Sequence, residues 1–227
     1  MHKTIIGIML TALAATACSG AEGQPGASEP AEETASSSAA LTASLPAGYT
    51  TPTYTGSITI GSCLYQVGST TLSTVLPPKH TAVVNKSALA ASCATPYGYQ
   101  LLGTSYASPG LSIAKGPNNA IGVSLVGSST PSGSAPKQAT LYRLDPSNLN
   151  VLLTDFLSVP PAGLGVPYAV QTANLVFTVP GDLLVIGTKE GKFPGELGAV
   201  GGSNYQATFT NFATTTTTAG ASQILAW

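Results

Sequence analysis

The sequence predicts an all-β body: an antiparallel β-sandwich of jelly-roll or Ig-like type, built from about 9–12 short strands. Three observations lead there. From Gly48 onward, short runs of Val, Ile, Leu, Thr and Tyr are interrupted every ten or so residues by Gly, Pro, Asn or Ser, the rhythm of strands and turns. No amphipathic helix competes, because the best helical stretch, Ser87-Ala88-Leu89-Ala90-Ala91 within 86–92, is too short to stand alone and amounts to a single turn or less. The chain is 43% apolar and only 7% charged, so its surface must be made of Ser, Thr, Asn, Gln and Gly.

The amino end reads as an address. His2 and Lys3 precede an apolar run over residues 5–15, and the small residues Ala15-Thr16-Ala17 follow; a positive start, a short apolar core and a small-residue cut site define a secretory signal peptide. The run falls short of the roughly 20 apolar residues that span a bilayer, so residues 1–17 are expected to be removed. Ala15-Thr16-Ala17-Cys18 resembles the lipobox of bacterial lipoproteins, with Ala15 where that pattern usually has Leu. The resemblance implies a lipidated Cys18 and a membrane anchor. Ser19 behind it, in place of Asp, implies an outer-membrane destination, or the cell envelope more broadly. An ordinary cut after Ala17 would instead leave a free thiol and a secreted, soluble protein.

Cysteine arithmetic agrees with lipidation. The chain has three cysteines, Cys18, Cys63 and Cys93, and an exported protein with an odd number carries a reactive leftover. Modifying Cys18 leaves one pair, expected as a structural disulfide in an oxidising compartment; a redox pair would want a closer spacing. Residues 18–46 are mostly Ala, Ser, Glu, Gly and Pro, a composition that buries too little to order itself. Treated as a flexible tether, they carry the body about 30 Å from its anchor. The remaining residues, 47–227, suffice for a single domain.

Strands are expected at 57–60, 64–67, 71–76, 81–85, 99–104, 121–126, 140–144, 151–157, 175–179, 183–187, 205–212 and 223–225. Tyr205, Ala207 and Phe209 alternate with Gln206, Thr208 and Thr210, as in a half-exposed strand. Leu183-Leu184-Val185-Ile186 is apolar without alternation, as in a strand buried on both faces. Pro180-Gly181-Asp182 makes a tight turn before it. Leu141-Tyr142-Arg143-Leu144-Asp145-Pro146 with 150–153 resembles one strand-turn-strand unit of β-propeller repeats. A propeller takes about four or more blades, so the unit is read as a hairpin with an Asp-Pro turn. Trp227, a terminal aromatic, resembles the last strand of outer-membrane barrels, but the strands are shorter than the roughly 9–11 residues such barrels use.

Chemistry is sparse. The body holds one histidine, His80, and five carboxylates, Asp145, Asp155, Asp182, Glu190 and Glu196, which excludes a multi-histidine metal site. No nucleophile elbow, calcium loop or phosphate-binding loop is present, and 198–202 is glycine-rich without the lysine of a P-loop. Neither a metal nor a cofactor is expected. With 8 basic and 9 acidic residues there is no basic stripe for nucleic acid. The densest aromatic cluster, Tyr97, Tyr99 and Tyr106, is the candidate ligand contact, since tyrosine faces stack on sugar rings while their hydroxyls stay wet.

The expected function is therefore contact without catalysis: a lipid-anchored envelope module binding a protein, a glycan or its own copies. The alternatives are a hydrolase of envelope or extracellular polymers using His80 or the acidic loop Glu190 to Glu196, and a surface-layer or fibre subunit. A deep pocket joining His80 to a carboxylate would favour the hydrolase.

Overall fold

The computed structural model describes residues 41–131, 136–163, 165, 168–198 and 202–227. The signal peptide, Cys18, the tether up to residue 40 and residues 199–201 of the glycine-rich loop lie outside them. In chain order the strands are β1 (Thr53–Ile60), β2 (Cys63–Leu72), β3 (Lys79–Ala88), β4 (Gly98–Ser105), β5 (Gly110–Lys115), β6 (Ile121–Gly127) and β7 (Gln138–Leu144). They continue with β8 (Val151–Leu157), β9 (Ala169–Val170), β10 (Asn174–Phe177), β11 (Leu183–Glu190), β12 (Leu197–Gly198), β13 (Asn204–Phe209) and β14 (Gln223–Ala226). The only helical element among the described residues is a 3-10 turn, Pro117–Asn119. At 86–92, Lys86 to Ala88 finish β3 and the chain then turns, so no helix forms there. Residues 71–76 are not a strand of their own: Thr71 and Leu72 end β2, and the chain then turns into Pro77-Pro78, which offer no N–H for pairing.

The strands form three sheets, each a sequential meander: β1-β2-β3-β4, then β5-β6-β7-β8, then β10-β11-β13-β14 with β12 added at the edge. Pairing within them is antiparallel except between β12 and β14. Hairpin connections thus stand where Greek-key crossovers would define a jelly roll or immunoglobulin domain. The sandwich has three layers, because apolar clusters lie on both sides of the second sheet. Toward the first sheet, Ile121, Val123 and Leu144 meet Tyr65, Val67 and Val84. Toward the third, Leu141, Leu153 and Leu157 meet Val185, Tyr205 and Phe209. Each such side chain contributes about 1.5–3 kcal/mol on burial.

This layering corrects one expectation. The strand buried on both faces is β6, in the middle layer, where six consecutive residues are buried. In β11 only Leu183, Val185, Gly187 and Lys189 are buried; Leu184 and Ile186 turn to the outer side of an end layer and are half-exposed.

Buried polar bonds fix how the layers meet. From the first sheet, Lys86 Nζ donates to the Ser147 carbonyl at 2.5 Å and Tyr65 Oη donates to the Pro146 carbonyl at 2.6 Å, so both grip the Asp-Pro turn between β7 and β8. Asp145 shapes that turn by accepting from the Ser147 amide and hydroxyl at 2.7 and 2.6 Å. From the second sheet, Arg143 Nη1 donates to the Phe212 carbonyl at 2.9 Å. Close approach also needs glycine at Gly122, where a Cβ would lie 2.9 Å from the Phe177 ring.

Cys63 opens β2 and Cys93 lies in the β3–β4 connection; they are disulfide-bonded with Cα atoms 5.0 Å apart. The bond closes a loop holding β2 and β3.

Candidate functional site: a cleft under a strap on the first sheet

The outward face of the first sheet is crossed by residues 41–52, six of which the sequence assigns to the tether. Leu41 packs against the apolar cluster between the first two sheets. Thr42 then pairs with Tyr99 at the start of β4, its amide donating to the Tyr99 carbonyl at 3.1 Å and its carbonyl accepting from the Tyr99 amide at 2.8 Å. At the far end the Thr50 amide donates to the Thr71 carbonyl at 3.0 Å, and Thr70 Oγ1 donates to the Thr50 carbonyl at 2.5 Å. Because β2 and β4 run the same way through the meander, these anchors sit at opposite ends of the sheet. The segment is therefore a strap laid across it. Val83 on this face is 0% exposed, while its neighbour Val84 points into the core between the sheets.

Gly98 makes the first anchor possible. Its φ is +138°, and a Cβ there would lie 2.1 Å from the Thr42 carbonyl oxygen. Any side chain would push the strap off β4.

Between strap and sheet lies an open cleft of about 310 Å³. Tyr49, Tyr99, Leu45 and Pro52 give it apolar surface, and Ser44, Thr50 and Thr51 bring hydroxyls. None of its lining residues carries a charge. Behind Tyr99, Tyr54 hydrogen-bonds to both Asn85 and Tyr99; burial first, then Tyr99, pushes the Tyr54 phenol above its ordinary value, with the Asn85 bond opposing. The result is a pair of aromatic surfaces, one of them held by a polar network, beside neutral donors and acceptors.

Of the three tyrosines singled out in the sequence, the cleft takes Tyr99 alone. Tyr97 donates to the Cys93 carbonyl and caps the disulfide loop. Tyr106, beyond the other end of β4, lies under Lys79 Nζ, 5.0 Å from its ring centroid. A strand rises about 3.3 Å per residue, so Tyr97 and Tyr106 are too far apart to serve one sugar. Tyr49 and the strap were missed. Their composition matches the tether before them, and only the pairing with Tyr99 and Thr71 distinguishes them.

The hydrolase candidates do not converge. His80 is half-buried in β3, its Nδ1 3.3 Å from Thr71 Oγ1. Asp145 serves its turn, Asp155 accepts from the Phe156 and Gly220 amides, and Asp182 accepts from the Asn211 amide. Glu196 accepts from the Phe193 amide at 3.0 Å and pairs with Lys189 Nζ at 3.0 Å, both side chains buried, whereas Glu190 is exposed. Lys189 Nζ also donates to the Gly191 and Gly202 carbonyls at 2.6 and 2.8 Å, so this cation ties Gly191, Glu196 and Gly202 together. Among the described residues, no group of three or more His, Cys, Asp or Glu is placed to hold a metal.

A scan against models of known protein families finds no match to this chain, and a search of curated proteins finds none either.

Proposed function

We propose that this protein is an exported, lipid-anchored module of the cell envelope, held through Cys18, that binds a neutral glycan in the strap cleft. The observation that carries this reading is the cleft's lining: Tyr49 and Tyr99 both line a volume of about 310 Å³, together with Ser44, Thr50 and Thr51 and no charged residue. Sugar rings present apolar C–H faces and a rim of hydroxyls, so aromatic stacking with neutral hydrogen bonds suits them. An anionic polymer would want a cation, and the cleft has none.

Titration calorimetry with neutral envelope and extracellular oligosaccharides tests it. Binding is expected with at least one of them, weakened about tenfold in Tyr99→Ala, a difference of about 1.4 kcal/mol. No heat with any neutral glycan, or binding indifferent to Tyr49 and Tyr99, ends the proposal. The anchor is tested separately by mass spectrometry of the mature amino terminus: acylated Cys18 supports it, and an unmodified thiol removes it.

A further inference from the structure

We propose that the outer face of the third sheet pairs with the same face of a second copy, giving a closed twofold dimer. The β registers place Asn174, Ile186, Gln206, Leu225 and Leu197 in one row across this face, with Val176, Leu184, Thr208 and Gln223 in the next. Their chain neighbours Leu175, Val185, Ala207 and Ile224 point into the core, so both rows face outward. Val176 is 49% exposed, Leu197 57% and Trp227, beyond the end of β14, 55%. Exposed apolar residues are ordinary one at a time; gathered on one sheet face they mark a contact surface.

The choice of a second copy rests on three observations. First, these rows contain no charged residue. The charge that β11 carries on its outward side is Glu190, beyond Thr188; within the two rows themselves no like charges oppose each other, and Gln206, Gln223 and Thr208 can donate to and accept from their equivalents. Second, face-to-face sheet packing already joins the first sheet to the second and the second to the third, so the dimer repeats a packing the molecule uses twice. Third, the stack has two end faces, and the strap of residues 41–52 occupies the other one. A face that pairs with itself associates isologously and stops at two, unlike the head-to-tail growth of a fibre.

Size sets the strength. Strands about 4.8 Å apart, carrying four to six residues of about 3.3 Å rise, make a face of roughly 400 Å² in projection. Two corrugated faces of that size bury about 1,000 Å² in all, the low end for specific interfaces. A weak dimer whose population depends on concentration is expected.

Sedimentation of the exported mature chain bearing Cys18→Ser, which prevents acylation, tests this between about 1 and 500 μM. The expected mass rises from one chain to two. Ile186→Lys keeps it at one throughout. So does Thr208→Lys, which changes a hydroxyl on the outer side and remains informative if the isoleucine variant fails to fold. Phe156→Lys, on the second sheet, leaves the dimer intact. A wild-type mass of one chain at every concentration overturns the proposal, as does a dimer that survives Thr208→Lys or is lost equally in Phe156→Lys.

Discussion

Lys86, Arg143 and Lys189 are three of the eight basic residues in the chain, and each is 5% exposed or less. A buried cation is costly unless its donors are engaged; here Lys86 and Arg143 each donate to a carbonyl across a layer boundary, Arg143 Nε being left without a partner, and Lys189 takes two carbonyls and a carboxylate. Burial pushes Lys86 below its ordinary value, opposed by Asp145, and lowers Arg143 as well. Replacing Lys189 with Met would strand the Glu196 carboxylate, 4% exposed, beside an apolar side chain. Breaking a buried pair this way costs about 3–5 kcal/mol, so the urea midpoint of Lys189→Met should fall sharply. A midpoint within experimental error of wild type would show that Glu196 finds water. None of these roles is legible in the sequence: Lys86 follows Asn85 at the end of an ordinary strand pattern, and its partner carbonyl lies 61 positions away.

At the scale of elements, most strands were legible and one informative strand was not. Residues 151–157 match β8, and β6 and β7 differ from expectation by one or two residues at their ends. β5 was missed because Pro109 before it, Gly110 at its start and Gly116 and Pro117 after it read as loop, leaving Leu111 and Ile113 as the large apolar signal. Its place is tertiary: it contacts both β1 and β10. The disulfide carries the first element-scale prediction. It closes a loop of 30 residues, and in the chain-entropy model removing it costs about 3.5 kcal/mol. The Cys63→Ser, Cys93→Ser double variant should therefore unfold at markedly lower denaturant, with native circular dichroism below the transition; an unchanged midpoint would refute the assignment. The strap carries the second. Gly98→Ala places a methyl where the Thr42 carbonyl sits, so it should abolish glycan binding in calorimetry while the denaturant transition keeps its slope. Retained binding would separate the strap from the cleft's function.

The whole molecule has a pH response that no single element sets. Tyr54, Tyr65, Tyr142 and Tyr205 all have phenols pushed above the ordinary value of 10.0, with burial the largest cause in each. The unfolded chain ionises these groups near 10 while the folded one holds its protons, so their stabilising effect is complete below that pH and is lost as pH rises through the raised values. Lys86 and Arg143, both lowered, act in the opposite direction but are two groups against four. Thermal midpoints should thus show no tyrosine-linked loss up to about pH 9 and fall beyond 10, with phenolate absorbance rising as unfolding proceeds. Phenolate appearing fully near pH 10 in a still-folded protein would contradict the burial of these rings.

By itself the sequence determined the strand-rich class, the likeness of its amino end to an exported and anchored one, the single available disulfide and the poverty of ionisable chemistry. These are local or compositional properties: alternation, punctuation by Gly and Pro, a three-cysteine count, one body histidine. Only the tertiary structure decided that the meanders stack in three layers, that residues 41–52 lie across one end face, and that the other end face stays open. Those outcomes depend on which faces of distant strands meet. A period of two residues tells that a strand has an apolar side, but not which sheet will cover it.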